Sequence, residues 1–154
     1  MATISTRLQY YRAAQDHLGA ASQLLDAAAQ TRPQVACYLV QVGLECAFKA
    51  RLLQEAEALR RPLEDFLTPK EVYEFFRTSK GHNLSLLSQQ VALRRALTST
   101  GGLVLLSEPQ WTRICQEGRP YSLRYGQETV TKEDAQSAVD FAQSLVTSLR
   151  ILRR

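Results

Sequence analysis

The sequence predicts an all-α protein, an antiparallel bundle of four main helices with short accessory helices, and three observations carry that expectation. Apolar residues recur at steps of three and four over most of the 154 residues. No segment alternates with the period of two that a half-buried strand needs. Capping residues and glycines stand at the ends of the periodic runs. A chain of this length builds one domain with a full core, here residues 1–154. Apolar residues at 45% and charged residues at 22% are globular proportions and exclude wholesale disorder.

Taken in order, the first apolar stripe is Tyr11, Ala14, Leu18, Ala21, Leu25 and Ala28, which predicts a helix from about Ser5 to Gln30. Thr31 is placed to cap the next helix, with Pro33 in its first turn, where a missing N–H costs nothing. That helix is expected to reach Leu59. Its first half, VACYLVQVGLECAF, is apolar on nearly every face and belongs at the centre of the bundle. Gly43 inside it costs about 1 kcal/mol against alanine, which points to close approach by a neighbouring helix.

After the break RRPLEDFLTP, Thr68, Pro69 and Glu71 form a capping-box start for a short helix that Gly81 ends. Asn83 starts the next helix, with Leu84, Leu87 and Val91 on one stripe and Leu86, Leu93 and Leu97 beside it. Gly101 and Gly102 stop it. Ser107 is expected to cap a short helix around Trp111 and Ile114, closed by Gly118. Residues 119–130, RPYSLRYGQETV, show no period and read as a long loop, a class of segment often given to function. Thr131 caps a final helix carrying Ala135, Ala138, Ala142, Leu145, Leu149 and Leu152 in step.

Charge is unevenly placed on this chain of net +4. Seven basic and two acidic residues lie between Arg77 and Gly126, against twelve and thirteen in the remainder. The basic excess belongs to one stretch, which suits either an anionic partner or an ordinary solvated surface. The opening MATISTRLQYYRAAQ has no apolar run resembling a signal peptide, and no stretch approaches a membrane span, so a cytoplasmic protein without membrane contact is expected. Three cysteines have no CxxC spacing, and Cys37 and Cys46 would fall on opposite faces of one helix. They are expected to stay reduced.

Most catalytic chemistries find no support. There is no GxxxxGK[ST] loop and no GxGxxG after a strand. His17 and His82 are the only histidines, so no metal site and no cofactor are expected. Cys37 and Cys46 lie in the apolar centre, and Cys115 has no evident base.

Three stretches remain. The central helix reads GLECAFKARLL, with Glu45 and Lys49 four apart; a turn gives GHNLSLL; the long loop gives LRYG. In that order and helical context the chain resembles the HEPN domain superfamily over roughly residues 8–150. The resemblance implies a small helical bundle, often dimeric, encoded beside nucleotidyltransferases or within toxin–antitoxin and defence systems. Catalytic members are metal-independent ribonucleases with an arginine, four to six residues, then a histidine. The histidine acts on the 2′-hydroxyl or the leaving oxygen, and the arginine stabilises charge on the scissile phosphate.

By spacing, Arg77 and His82 satisfy that pattern. By position, GHNL resembles the start of the family's third helix, and Arg124 in SLRYGQET better matches the motif's arginine, with no histidine after it. His82 thus stands either as a catalytic group or as a helix-start residue. Glu45 and Lys49 make the favourable acid-before-lysine helix pair, a structural motif whether exposed or partly buried. In the loop, Arg119 beside Tyr121 and Arg124 beside Tyr125 suit phosphate contact and base stacking, and suit equally the anchoring of a loop onto the bundle. The favoured expectation is a non-catalytic HEPN-like binding module, homodimeric, working with a partner protein such as a nucleotidyltransferase or antitoxin, or with RNA or a nucleotide. The alternatives are a HEPN ribonuclease of toxin type and a purely structural helical scaffold.

Overall fold

The computed structural model describes residues 6–26, 32–77, 83–116, 119, 121–124, 126 and 128–153, and for Tyr121 and Arg124 the backbone alone. Among the described residues every regular element is a helix: α1 (Arg7–Asp26), α2 (Pro33–Leu59), α3 (Pro69–Arg77), α4 (Leu84–Ser88), α5 (Val91–Thr100), α6 (Pro109–Ile114), α7 (Tyr121–Arg124) and α8 (Lys132–Leu149). Short 3-10 turns occupy Leu63–Asp65 and Gly102–Ser107. One hydrophobic cluster runs from Ala14 in α1 to Ile151 beyond α8.

The predicted stripes face inward. Ala14, Leu18, Ala21 and Leu25 bury the inner face of α1, and Ala135, Ala138, Ala142, Leu145 and Leu149 do the same for α8. Helix α2 lies between them and is buried on most of its circumference, from Ala36 to Ala56. Its interior glycine has the expected cause. A Cβ on Gly43 would meet Leu18 Cγ and Cδ2 at 3.0 Å and the Ala14 carbonyl at 3.5 Å, so α1 crosses here at a distance that a larger residue would have to push open.

The helix starts follow the sequence. Thr68 and Glu71 close a reciprocal box, Glu71 N–H donating to Thr68 Oγ1 (3.2 Å) and Thr68 N–H to Glu71 Oε2 (2.6 Å). Asn83 Oδ1 accepts from Leu86 N–H (3.0 Å), and Thr131 Oγ1 from Asp134 N–H (3.1 Å). Pro33 and Pro109 fill first-turn positions. The positions of Ala28, Thr31, Gly81 and Gly118 lie outside the described residues.

Three expectations change. The long helix predicted from Asn83 up to Gly101 is broken at Gln89–Gln90, with Gln90 in extended conformation (ψ 134°). The reason is geometric: Leu87 and Leu93 are both buried, yet six residues turn a continuous helix by about 600°, which would point them about 120° apart. The break brings both to the core and leaves Val91 75% exposed, against its expected place on the stripe. Ser107 does not cap α6; it ends the 3-10 turn, its hydroxyl donating to the Val104 carbonyl (2.6 Å), and Glu108 precedes Pro109 instead. Leu152 lies past the end of α8 and is 59% exposed.

Past α8 the chain is held by side chains. Arg150 takes a left-handed conformation (φ 48°), and its carbonyl accepts from Gln54 Nε2 (3.1 Å) and Arg51 Nη1 (3.3 Å). Leu152 N–H donates to Gln54 Oε1 (2.7 Å), while its carbonyl accepts from Arg7 Nη1. Arg7 Nε in turn pairs with Glu57 (2.8 Å), so α1, α2 and the post-α8 segment meet at one pole.

Candidate functional site

Two polar constellations and one groove emerge from this scaffold. The first is central. Glu45 and Lys49 sit four apart on α2, at the side facing α1 and α3, and Lys49 Nζ donates to Glu45 Oε1 at 2.6 Å. Both side chains are more than nine-tenths buried. The ammonium lies 5.9 Å from the ring centroid of Tyr10 and 5.8 Å from that of Phe76, which meet each other edge to face. This is a paired and caged cation, the arrangement that makes a buried charge tolerable. Arg77 ends α3 next to this cage in sequence and is exposed. His82 lies outside the described residues, and Asn83 rather than a histidine supplies the cap of α4.

The second constellation pins the loop that precedes α8. Arg119 donates through Nε to Glu128 Oε2 (2.8 Å) and through Nη2 to Glu128 Oε1, a two-pronged pair with the arginine side chain only 5% exposed. Ser122 Oγ adds a third hydrogen bond to the same carboxylate (3.1 Å). The Arg119 contact holds the Glu128 carboxyl below its ordinary value, against burial, which pushes it up. Gln34 of α2 donates to the Leu123 carbonyl (2.6 Å), fixing α7 against the central helix. Beside this, Arg113 of α6 reaches Asp134 in the first turn of α8 (3.2 Å), and that contact lowers the Asp134 carboxyl. Of the loop residues expected to bind a ligand, Arg119 therefore has its guanidinium committed to Glu128. Tyr121 and Arg124 belong to α7 by their backbone, and Tyr125 lies outside the described residues. The loop is not structureless, because a four-residue helix sits inside it.

The thiols are poor nucleophiles. Burial pushes Cys37 and Cys46 up to about 11 and Cys115 up to about 12. Among the described residues no group of three or more His, Cys, Asp or Glu side chains could hold a metal ion, and no helix is long and apolar enough to cross a membrane.

The groove was not anticipated from the sequence. It lies between the Gly102–Ser107 turn, the start of α6 and α8, is open to solvent with a volume of about 380 Å³, and is lined by Leu105 and Phe141 with Glu108, Gln110, Ser137, Asp140 and Ser144 around them. An aromatic chain ends at Phe141: Phe48 of α2 packs edge to face on Trp111 of α6 (5.9 Å), which leans on Phe141 of α8 (6.4 Å). Gln41 holds the other end of α6 through the Ile114 carbonyl (2.7 Å). The only sequence signal for it is LVLL, four apolar residues in a row directly after two glycines. None of the four is fully buried, and Val104 is 66% exposed.

No protein-family model, no curated protein and no solved structure matches this chain.

Proposed function

We propose that this chain is a HEPN-like, non-catalytic module, its helices forming an antiparallel bundle, that works by binding a partner macromolecule, foremost another protein. The observation that carries the proposal is the run Leu103–Leu106: its three leucines pack against the core without being fully buried, and Val104 stands 66% exposed. Consecutive apolar residues at a surface cost solubility and persist where something binds them. The commitment of Arg119 to Glu128 favours a protein partner over a phosphate-bearing one at the loop, since an arginine already holding a carboxylate anchors its loop instead of meeting a phosphate. The resemblance to HEPN domains adds homodimerisation and a partner encoded nearby, such as a nucleotidyltransferase or an antitoxin.

Three measurements test this. Purified chain is incubated with labelled single-stranded RNA in EDTA, which silences metal nucleases. No cleavage is expected, and cleavage that disappears in Arg77→Ala and in a normally melting His82→Asn would replace the proposal with a ribonuclease. The products of neighbouring genes are then co-expressed with wild type and with Val104→Asp. Co-purification that Val104→Asp abolishes supports the module; co-purification indifferent to it removes the role given to Leu103–Leu106. Light scattering at tens of micromolar, which would report a homodimer as twice the 17.3 kDa chain, checks the dimer.

A further inference from the structure

The groove beside Leu103–Leu106 has a chemistry of its own. A 3-10 helix has three residues per turn, so Gly102 and Leu105 fall along one edge, and Glu108 follows as the extended residue that ends the turn. On α8, Ser137, Asp140, Phe141, Ser144 and Ser148 fall along one stripe. These two lines are the long walls, and Gln110 of α6 completes the lining. At one end they close: a Cβ on Gly102 would meet Ser148 Oγ and lie 2.7 Å from Ser148 Cβ, so the backbone of the turn rests directly on α8. Away from that contact the walls part, with Leu105 and Phe141 between them and the carboxylates of Glu108 and Asp140 exposed at the sides. Asp140 accepts one hydrogen bond from Gln136 (3.0 Å), which leaves its second oxygen for a further donor.

Two carboxylates flanking an apolar strip, on a chain whose net charge is +4, are a local reversal of sign. They repel phosphate, which argues against nucleic acid in this groove. They complement a side chain with an apolar stem and a cationic head: the stem of an arginine or lysine covers Leu105 and Phe141 while the head reaches Glu108 or Asp140. The groove has room for such a side chain, and the exposed Val104 next to it offers a seat to an aliphatic neighbour on the same segment.

We propose that the groove between the Gly102–Ser107 turn and α8 docks a basic amphipathic segment of a partner protein, an arginine or lysine flanked at helical spacing by aliphatic residues. The inference rests on the partner-binding function above and specifies its chemistry. Such a segment is read the way other amphipathic helices are read in grooves, apolar anchors giving affinity and charge giving orientation.

The test uses the full chain and a defined probe: a fluorescent peptide about four turns long, with leucine and arginine at i, i+4 spacing, compared with the same peptide carrying glutamate for arginine. Fluorescence anisotropy is expected to show saturable binding of the arginine peptide and none of the glutamate peptide. The double variant Glu108→Gln/Asp140→Asn, both at exposed positions, is expected to melt as wild type does and to weaken the arginine peptide by about tenfold, with added salt erasing the difference. Leu105→Asp is expected to remove binding. Its melt is checked, and the exposed-site Val104→Asp, expected to weaken binding without altering the melt, keeps the test open if Leu105→Asp fails to fold. No binding by wild type, or binding equal for both peptides or unmoved by the double variant, overturns the inference. So does self-association that needs Arg94 and Arg95, the exposed arginines of α5, together with Glu108 and Asp140, which would give the groove to a second copy. Each of those results leaves the RNA and co-purification outcomes, and with them the broader function, standing or falling separately.

Discussion

Lys49 and Glu45 form a 2.6 Å ion pair inside the helical core, roofed by the rings of Tyr10 and Phe76. Two charges withdrawn from water are held by each other and by the ring faces, so the pair ties α2 to α1 and α3 through groups that tolerate no single loss.

Glu45→Leu, with Lys49 retained, is expected to destabilise the fold by about 3–5 kcal/mol, because an uncompensated ammonium is left buried. The double variant Glu45→Leu/Lys49→Leu is expected to recover a large part of that. Urea melts of the wild type, these two variants and Lys49→Leu measure the coupling; additive losses would show the pair to be independent side chains.

Gly43→Ala is expected to be near neutral, since about 1 kcal/mol of helix propensity offsets the crowding of Leu18 at 3.0 Å. Gly43→Leu is expected to cost about 1–3 kcal/mol more, through overpacking at the α1–α2 crossing. Equal melting temperatures for the two would mean that the helices part freely.

The loop latch gives a pH dependence of definite sign. Glu128 is held below its ordinary value near 4.5, chiefly by Arg119. A carboxyl lowered on folding contributes stability that is complete above the unfolded-state value and is lost as the pH falls through the folded-state value. Glu128→Gln is therefore expected to melt below wild type at neutral pH, with the gap closing on acidification below about pH 4.5. A gap that stays constant with pH would mean that the latch carries no charge-dependent stability.

All three thiols are expected to react at least about tenfold more slowly than free cysteine with iodoacetamide at pH 8, because their raised values leave only about one thiolate in a thousand or fewer. Unfolding in urea is expected to release all three. Fast labelling of Cys115 in the native state would show that α6 opens on the labelling timescale.

The capping residues Thr68, Asn83 and Thr131 were legible because a cap is a local chemical requirement: a short polar side chain before an apolar period has one effective partner, the N–H three residues on. Gly43 was legible because glycine inside an apolar helix needs a tertiary reason. The break at Gln90 was not, since glutamine is a good helix former and the stripes of α4 and α5 overlap in sequence; the fact that Leu87 and Leu93 must both be buried decides it, and that is tertiary. Among the site residues, the Glu45–Lys49 pair follows from its spacing. The partner of Arg119 does not, because Glu128 lies nine residues away across α7. The groove was hidden for the same reason: Leu105 and Phe141 are 36 positions apart in the sequence.

The pole where Arg7, Gln54 and Leu152 meet has a kinetic consequence. The α1–α2 pair closes over a short connection, but the Arg7–Leu152 contact spans 145 positions and the Gln54–Leu152 contact 98. Loop-closure entropy opposes such contacts until the intervening chain is already compact, so this pole assembles late and belongs to the slowest cooperative step. The same arrangement works in reverse. Releasing residues 150–152 breaks hydrogen bonds to both long helices at once, through Arg7 of α1 and through Arg51 and Gln54 of α2.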